Sequence, residues 1–221
     1  MLRYICMIAA LVLVAPGPLA HAITLGQTND FQDGTTQGWS GYATAGNVST
    51  GGPAGVGDRY LLLTSSGSGL TSELRTFSGF VITPWGGDYA EAGVTAVAMD
   101  LLNLGAIDLE MRILVGGNFG DWTSNSAFTV PADGQWHRAV FGLTANELVW
   151  GGDQGGNSAN LEDALRYCGG FHIRHQAGEP LGWRGTTPIA SSLGIDNVTA
   201  VPEPVFGMLV AGAMLFLRRH T

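Results

Sequence analysis

Two acidic residues on one predicted strand are the first candidates for chemistry. Asp108 and Glu110 lie in the alternating segment 107–115, so their side chains share one strand face, about 7 Å apart. Glycosidic acid–base catalysis uses two carboxylates roughly 5 to 9.5 Å apart. Arg112 follows on the same face and would lower the pKa of both acids, whereas a catalytic acid needs a raised pKa. The pattern therefore predicts a solvated polar face and a non-enzymatic protein.

Sugar binding suits these residue types better than catalysis does. Indole rings offer flat apolar faces to sugar rings, and neighbouring charged groups hydrogen-bond to hydroxyls. Trp39 and Trp136 are predicted to be core residues, whereas Trp85, Trp122, Trp150 and Trp183 stand beside Gly or Asp in predicted loops. The predicted ligand-binding residues are Asp108, Glu110, Arg112, Trp122, His172 and Arg174.

Other chemistries find little support in the sequence. His172 and His175 are three residues apart, so on a strand they face opposite ways, one predicted to be buried and one exposed, and cannot share a metal ion. The sequence has no His-Glu-x-x-His, nucleophile-elbow or phosphate-loop motif. Between Ile23 and Ala200 there are 7 Arg, no Lys and 17 Asp or Glu, a charge balance that excludes nucleic acid as a partner.

The N-terminal segment has the features of a secretory signal. Arg3 precedes an apolar run, and Ala20-His21-Ala22 has the small-x-small pattern that signal peptidase accepts. Residues 1–22 are therefore predicted to be a signal peptide that directs export across the inner membrane. Its removal leaves Cys168 as the single cysteine, so no intrachain disulfide can form.

The C-terminal segment, residues 201–221, combines a short motif with an apolar helix. Pro202-Glu203-Pro204 precedes 13 apolar residues, about 20 Å of helix, and Arg218-Arg219 closes the segment on the predicted cytoplasmic side. This order resembles the PEP-CTERM sorting signal. The resemblance implies a Gram-negative bacterium, processing by an exosortase, a transient membrane anchor, and association with exopolysaccharide or biofilm at the cell surface. The alternative is a permanent membrane stub.

The middle segment, residues 23–200, reads as one all-β domain. In the segment 107–115, Ile107, Leu109, Met111, Ile113 and Val115 alternate with polar residues, as in a half-buried antiparallel strand. Further strands are predicted at 59–64, 94–101, 127–130, 135–143, 171–175 and 193–201, with glycine-rich turns between them. Asn160 caps a single predicted helix that ends before Gly169. This spacing favours a β-sandwich.

Two motifs carry a second resemblance. Asn29-Asp30-Phe31-Gln32-Asp33-Gly34 and Leu193-Gly194-Ile195-Asp196-Asn197-Val198 resemble the first and last strands of the galactose-binding-like jelly roll, a fold of many carbohydrate-binding modules. The resemblance implies a jelly-roll β-sandwich whose terminal strands run side by side.

The same resemblance implies a structural calcium ion on those terminal strands. Asp196 matches one family ligand, whereas Gln32 stands where a Glu is frequent, which shifts the prediction to Asp30 or Asp33. Asp58 is a further candidate ligand. Calcium takes six to eight oxygen ligands, so residues from several segments must converge.

These observations predict an exported surface or matrix protein that is non-enzymatic, structural or glycan-associating, and sorted by its tail. The alternative is a polysaccharide-active enzyme or its detached carbohydrate-binding module.

The tail motifs should act at separate steps, because they lie on opposite sides of the membrane. Replacing Arg218 and Arg219 by Glu should impair membrane insertion. Glu203→Ala should leave insertion intact and trap an unprocessed, membrane-bound form. Cell fractionation with an epitope tag in the β domain separates the two results, and soluble, fully processed Glu203→Ala protein would contradict the sorting-signal interpretation.

Overall fold

Nearly all regular structure among the described residues is β-strand. The computed structural model describes residues 22–79, 84–117, 120–151, 160–180, 182 and 187–202. The strands are β1 Thr28–Asn29, β2 Thr44–Val48, β3 Tyr60–Ser66, β4 Arg75–Gly79, β5 Ala96–Asn103, β6 Leu109–Gly116, β7 Trp122–Ser124, β8 Phe128–Val130, β9 Trp136–Gly142, β10 Leu148–Trp150, β11 Gly170–His175 and β12 Ala190–Val201. One short helix, α1 Leu161–Arg166, lies between β10 and β11.

The strands form two antiparallel sheets. The first sheet has the order β2-β3-β12-β5-β9, and β1 also pairs with β12. The second sheet has the order β10-β7-β6-β11-β4, and β8 also pairs with β6. The architecture is the expected jelly-roll β-sandwich, and its first and last strands run side by side, with Thr28 opposite Thr199.

The core between the sheets comes from alternate residues on the strands. On β6, Leu109, Met111, Ile113 and Val115 are buried in the core, as their spacing predicts. Ile107 departs from this prediction because it precedes the strand, and it is exposed. Cys168 is buried, and burial raises the pKa of its thiol to about 11.

The predicted elements agree with the structure in their central residues. The six further predicted strands correspond to β3, β5, β8, β9, β11 and β12, with ends shifted by at most three residues. Asn160 caps α1, since its side chain accepts a hydrogen bond from the Glu162 N–H at 3.0 Å. Four short strands are absent from the sequence prediction: β2, β4, β7 and β10. Strand β1 overlaps, at Asn29, the first-strand motif that the jelly-roll resemblance indicated.

A single amide oxygen joins the N-terminal segment to two core indoles. Asn29 Oδ1 accepts from Trp39 Nε1 at 2.9 Å and from Trp85 Nε1 at 2.6 Å. Both indoles are fully buried, with ring centroids 5.8 Å apart. The core position of Trp39 is confirmed. Trp85 lies in a turn, as predicted, but its ring is fully buried and is not open to a ligand.

The two terminal predictions lie almost wholly outside the described residues. Of the signal peptide and the tail, only Ala22, Val201 and Pro202 are described. Within the described part of the chain, no helix is long and apolar enough to cross a membrane.

Asn29→Ala should strongly destabilise the domain, because it leaves two buried indole N–H groups without an acceptor. We expect a loss of about 2 to 6 kcal/mol in the free energy of unfolding, at roughly 1 to 3 kcal/mol for each donor. Urea melts of exported protein measure this. Gln135→Ala is the control, since Gln135 is exposed, and equal midpoints for the two variants would contradict the role of Asn29.

Candidate functional site

Three of the predicted ligand-binding side chains meet on the outer face of the second sheet. The register places Arg112 on β6 beside Arg174 on β11, and Arg75 on β4 lies on the other side of Arg174. His172 lies between Leu114 and Phe77 on the same face. The structure thus brings Arg112, Arg174 and His172 together.

This face is covered, so the expectation of a solvated polar sheet is wrong for these three residues. Arg112 and Arg174 are 4% and 0% exposed. Arg112 donates to the carbonyl oxygens of Ser124 at 2.7 Å and Gly178 at 2.6 Å, and Arg174 donates to Gly182 O at 2.6 Å. The guanidinium groups therefore hold the backbone that follows β11 against the sheet. Burial lowers the pKa of Arg112, partly offset by the charges of Glu110 and Glu179.

The two histidines are both buried, so the prediction that one is exposed is wrong. His172 stacks on Phe77, with ring centroids 5.3 Å apart, and its Nδ1 accepts from Arg75 Nε at 3.3 Å. Burial and the charges of Arg75 and Arg174 hold the pKa of His172 well below its usual value. A neutral imidazole here completes the packing of the face. His175 Nδ1 accepts from the Glu110 N–H at 3.1 Å.

The predicted acids on this sheet bind backbone groups. Asp108 is exposed just before β6, and its Oδ1 accepts from the Ala132 N–H at 2.9 Å. Glu110 is partly buried, and its Oε2 accepts from the Gly178 N–H at 3.0 Å. Each carboxylate thus supports a turn.

Trp122 belongs to an aromatic margin of the second sheet, which we define as Trp122 and Trp150. These residues lie directly opposite each other on β7 and β10. Trp150 is 46% exposed, and Trp122 packs partly on the core. Among the described residues, Trp122 Nε1 has no hydrogen-bond partner. The margin thus combines the accessible indole of Trp150 with the indole of Trp122, whose N–H is buried. Trp150 was not among the predicted ligand-binding residues. Because Gly151 follows it and glycine is typical of loops, Trp150 was predicted to lie in a loop.

The predicted metal ligands separate into two groups. The carboxylates of Asp58 and Asp196 converge on Gly52, where an added Cβ would lie 2.5 Å from Asp58 Oδ2 and 3.2 Å from Asp196 Oδ2. Asp30 contributes charge to the same cluster. Asp33 does not join it: both of its carboxylate oxygens accept from Thr35 within their own turn.

Asp196 is the most unusual group of the cluster. It is fully buried, and within the described residues its Oδ2 has no hydrogen-bond partner. Its Oδ1 accepts from the Asn197 N–H at 2.7 Å, in a β-bulge where Asn197 has a φ of 49°. The pKa of Asp196 is raised to about 7, mainly by burial; the charges of Asp58, Asp100 and Asp30 add to this rise, and the hydrogen bond from the Asn197 N–H opposes it.

A hard cation fits the donors of this cluster. An orphaned buried carboxylate oxygen facing a second carboxylate is a donor set that calcium accepts, with backbone carbonyls and water completing the shell. Three oxygens, Asp58 Oδ1, Asp30 O and Arg59 O, converge on Gln32 Nε2 at 2.8 to 3.2 Å. Among the described residues, however, no three His, Cys, Asp or Glu side chains form a metal-binding group by themselves. Calcium here would therefore depend on carbonyl oxygens.

A small cleft lies beside the segment whose carbonyl oxygens Arg112 binds. It has a volume of about 170 Å³ and is lined by Ser124, Asn125, Ser126, Val140, Phe141, Gly142, Asn146 and Glu147. None of the predicted site residues contributes to its lining.

Comparison with solved structures supports the fold. An exo-β-agarase matches with a TM-score of 0.55 and 15% identity, over 80% of this chain and 25% of that chain. This chain thus spans about a quarter of the length of that enzyme. A family 11 carbohydrate-binding module from Clostridium thermocellum, solved with a β-1,3-1,4-mixed-linked tetrasaccharide, has a TM-score of 0.49 and 13% identity, over 81% of this chain and 97% of that chain.

A xylan-binding domain from Paenibacillus barcinonensis has a TM-score of 0.44 and 12% identity, over 81% of this chain and 97% of that chain. No protein-family model and no curated protein matches the chain. The agarase likeness and the sheet topology show a jelly-roll fold. At these identities, they show the fold alone.

The raised pKa of Asp196 predicts a pH dependence in chelator. Between pH 3.8 and about 7 the unfolded chain releases a proton that the folded protein retains. Without metal, the free energy of unfolding should therefore fall as pH rises through this range and level off above it. Asp196→Asn should remove this contribution.

Urea melts in EDTA and in calcium chloride, from about pH 4 to about pH 8, measure both effects. Calcium should stabilise the wild type at the upper end and have little effect on Asp196→Asn. An equal pH profile for both proteins in EDTA would contradict the buried acid, and equal calcium responses would contradict the cation site.

Proposed function

We propose that this chain is an exported, non-enzymatic protein that associates with extracellular glycans and is sorted by its PEP-CTERM-like tail. The aromatic margin is the observation that carries the glycan proposal. Directly opposite residues in an antiparallel pair have Cβ atoms about 5 Å apart, so Trp122 and Trp150 present neighbouring rings at the sheet edge. An exposed ring such as that of Trp150 can stack on the apolar face of a sugar.

The outer face of the second sheet, which carries Arg112 and Arg174, supports the aromatic margin. It does not form an open binding site of its own. Arg174 Nη2 donates to Thr123 Oγ1 at 3.1 Å, and Thr123 lies between Trp122 and Ser124 on β7. Arg112 holds Ser124 O at the end of the same strand. Rigid support reduces the conformational entropy that a ligand would otherwise have to remove on binding. The buried cations are thus proposed to position the margin.

The non-enzymatic part of the proposal rests on the acids of the second sheet. Asp108 and Glu110 are both engaged with backbone N–H groups. The accessible surface at Trp150 is suited to binding a ligand.

Export and sorting are proposed from the sequence. Signal peptidase would release the chain at Ile23, and an exosortase would act near Pro202-Glu203-Pro204 after transient insertion of the tail. The mature protein would then lie at the surface of a Gram-negative cell, within exopolysaccharide or biofilm matrix. A strongly acidic domain without lysine suits neutral polymers better than anionic ones.

Structural calcium is proposed for the Asp58–Asp196 cluster. Asp58, Asp196 and Asp30 would hold the ion together with nearby carbonyl oxygens, and bound calcium would neutralise the mutual repulsion of these acids. Because β1 pairs with β12, the ion would join the two ends of the domain.

A glycan array with exported protein beginning at Ile23 tests the function. We expect binding to a set of neutral polysaccharides and a drop of about tenfold in affinity for Trp150→Ala, a loss of about 1.4 kcal/mol. Val140→Ala is the matched control, since Val140 is 47% exposed on β9 of the other sheet. Equal binding by both variants would exclude the margin as the site, and shortening of any bound polymer would contradict the non-enzymatic proposal.

A further inference from the structure

Trp136 lies on the outer face of the first sheet, which differs from its predicted place in the core. Its ring sits over Gly194, where an added Cβ would lie 3.0 Å from Trp136 Cη2 and 3.2 Å from Tyr60 Cε2. Tyr60 meets the indole edge to face, with ring centroids 5.3 Å apart. The lack of a side chain at Gly194 lets the ring approach β12 closely, so the position of Trp136 is well defined.

The indole also holds the loop that carries Asp58. Trp136 Nε1 donates to Gly51 O at 3.0 Å, across 85 residues of chain. The loop 51–58 is closed by its own hydrogen bonds, from Gly52 N to Asp58 O at 3.0 Å and from Ala54 N to Asp58 Oδ2 at 2.7 Å. Because the loop is closed in this way, fixing Gly51 fixes Gly52 and the Asp58 carboxylate together.

Strand β9, the edge strand that carries Trp136, also supports the surroundings of the second carboxylate, Asp196. Arg138 on β9 forms an ion pair with Asp100 at 3.3 Å, and Asp100 lies opposite Asp196 in the ladder between β5 and β12. Asn197 Nδ2 donates to Asp100 Oδ2 at 2.9 Å, next to the bulge. One side chain of β9 thus holds the Asp58 loop, and another holds the surroundings of Asp196.

We propose that Trp136 is a positioning residue for the cation site, through the hydrogen bond from its indole N–H to Gly51 O. This inference rests on the calcium proposal above. Asp58 and Asp196 repel each other when no cation is bound, so the loop must be held in place for both carboxylates to face the same point. A site whose donors are already positioned binds more tightly, because less ordering accompanies binding.

Trp136→Phe tests the hydrogen bond while keeping an aromatic ring over Gly194. Trp150→Phe is the matched control, since it makes the same substitution at an exposed indole of the other sheet. Calcium chloride is titrated calorimetrically into each exported protein, and terbium chloride is titrated with excitation of the indoles. We expect calcium affinity to fall about tenfold for Trp136→Phe and to be unchanged for Trp150→Phe. Terbium emission should be sensitised in the wild type and much weaker in Trp136→Phe.

The outcomes separate this inference from the calcium proposal. If the wild type binds neither ion, calcium binding is excluded and the inference fails with it. If wild type and Trp136→Phe bind calcium alike, only the positioning role is overturned. Gly194→Ala gives a second route should Trp136→Phe not fold, because it displaces the ring but retains the N–H group. Its calcium affinity should also fall, and unchanged affinity would overturn the inference.

Discussion

The hydrogen bonds to Asn29 Oδ1 are the interaction on which the rest of the structure depends. A domain with one cysteine and no disulfide must join its ends by packing, and a short strand such as β1 has few ladder hydrogen bonds of its own. By accepting from two fully buried indoles, Asn29 ties the N-terminal segment to the core. This attachment places β1 against β12 and brings Asp30 toward Asp196.

The second constraint is the placement of arginine inside an acidic protein. Arg112 satisfies backbone carbonyls of two separate segments, Ser124 and Gly178, and so replaces ladder hydrogen bonds where the chain leaves the sheet. A buried cation needs many acceptors, and carbonyl oxygens supply them without a carboxylate partner. The covered sheet face follows from this arrangement, whereas Trp150 of the aromatic margin stays accessible at the edge of the sheet.

Local pattern predicted much of the fold, whereas side-chain exposure depended on contacts distant in sequence. The alternation of Leu109 to Val115 predicts β6, and Asn160 predicts the start of α1, because each signal acts within a few residues. Arg112 and His172 are polar residues on a strand face, a pattern that favours exposure. Both are buried because segments that follow β11 cover this face. The resemblance predicted that Asp196 is a ligand. Its burial next to Asp58, with no hydrogen-bond partner for Oδ2 among the described residues, depends on a β-bulge that no local sequence pattern shows.

The central claim is that the chain binds glycan without altering it. Cosedimentation of the exported protein with the extracellular polysaccharide of the producing cells tests this claim most directly, when polymer length is measured before and after incubation. The account predicts that the protein moves to the polysaccharide pellet and that the polymer length distribution is unchanged. Protein that stays in the supernatant, or a polymer that becomes shorter, would contradict it.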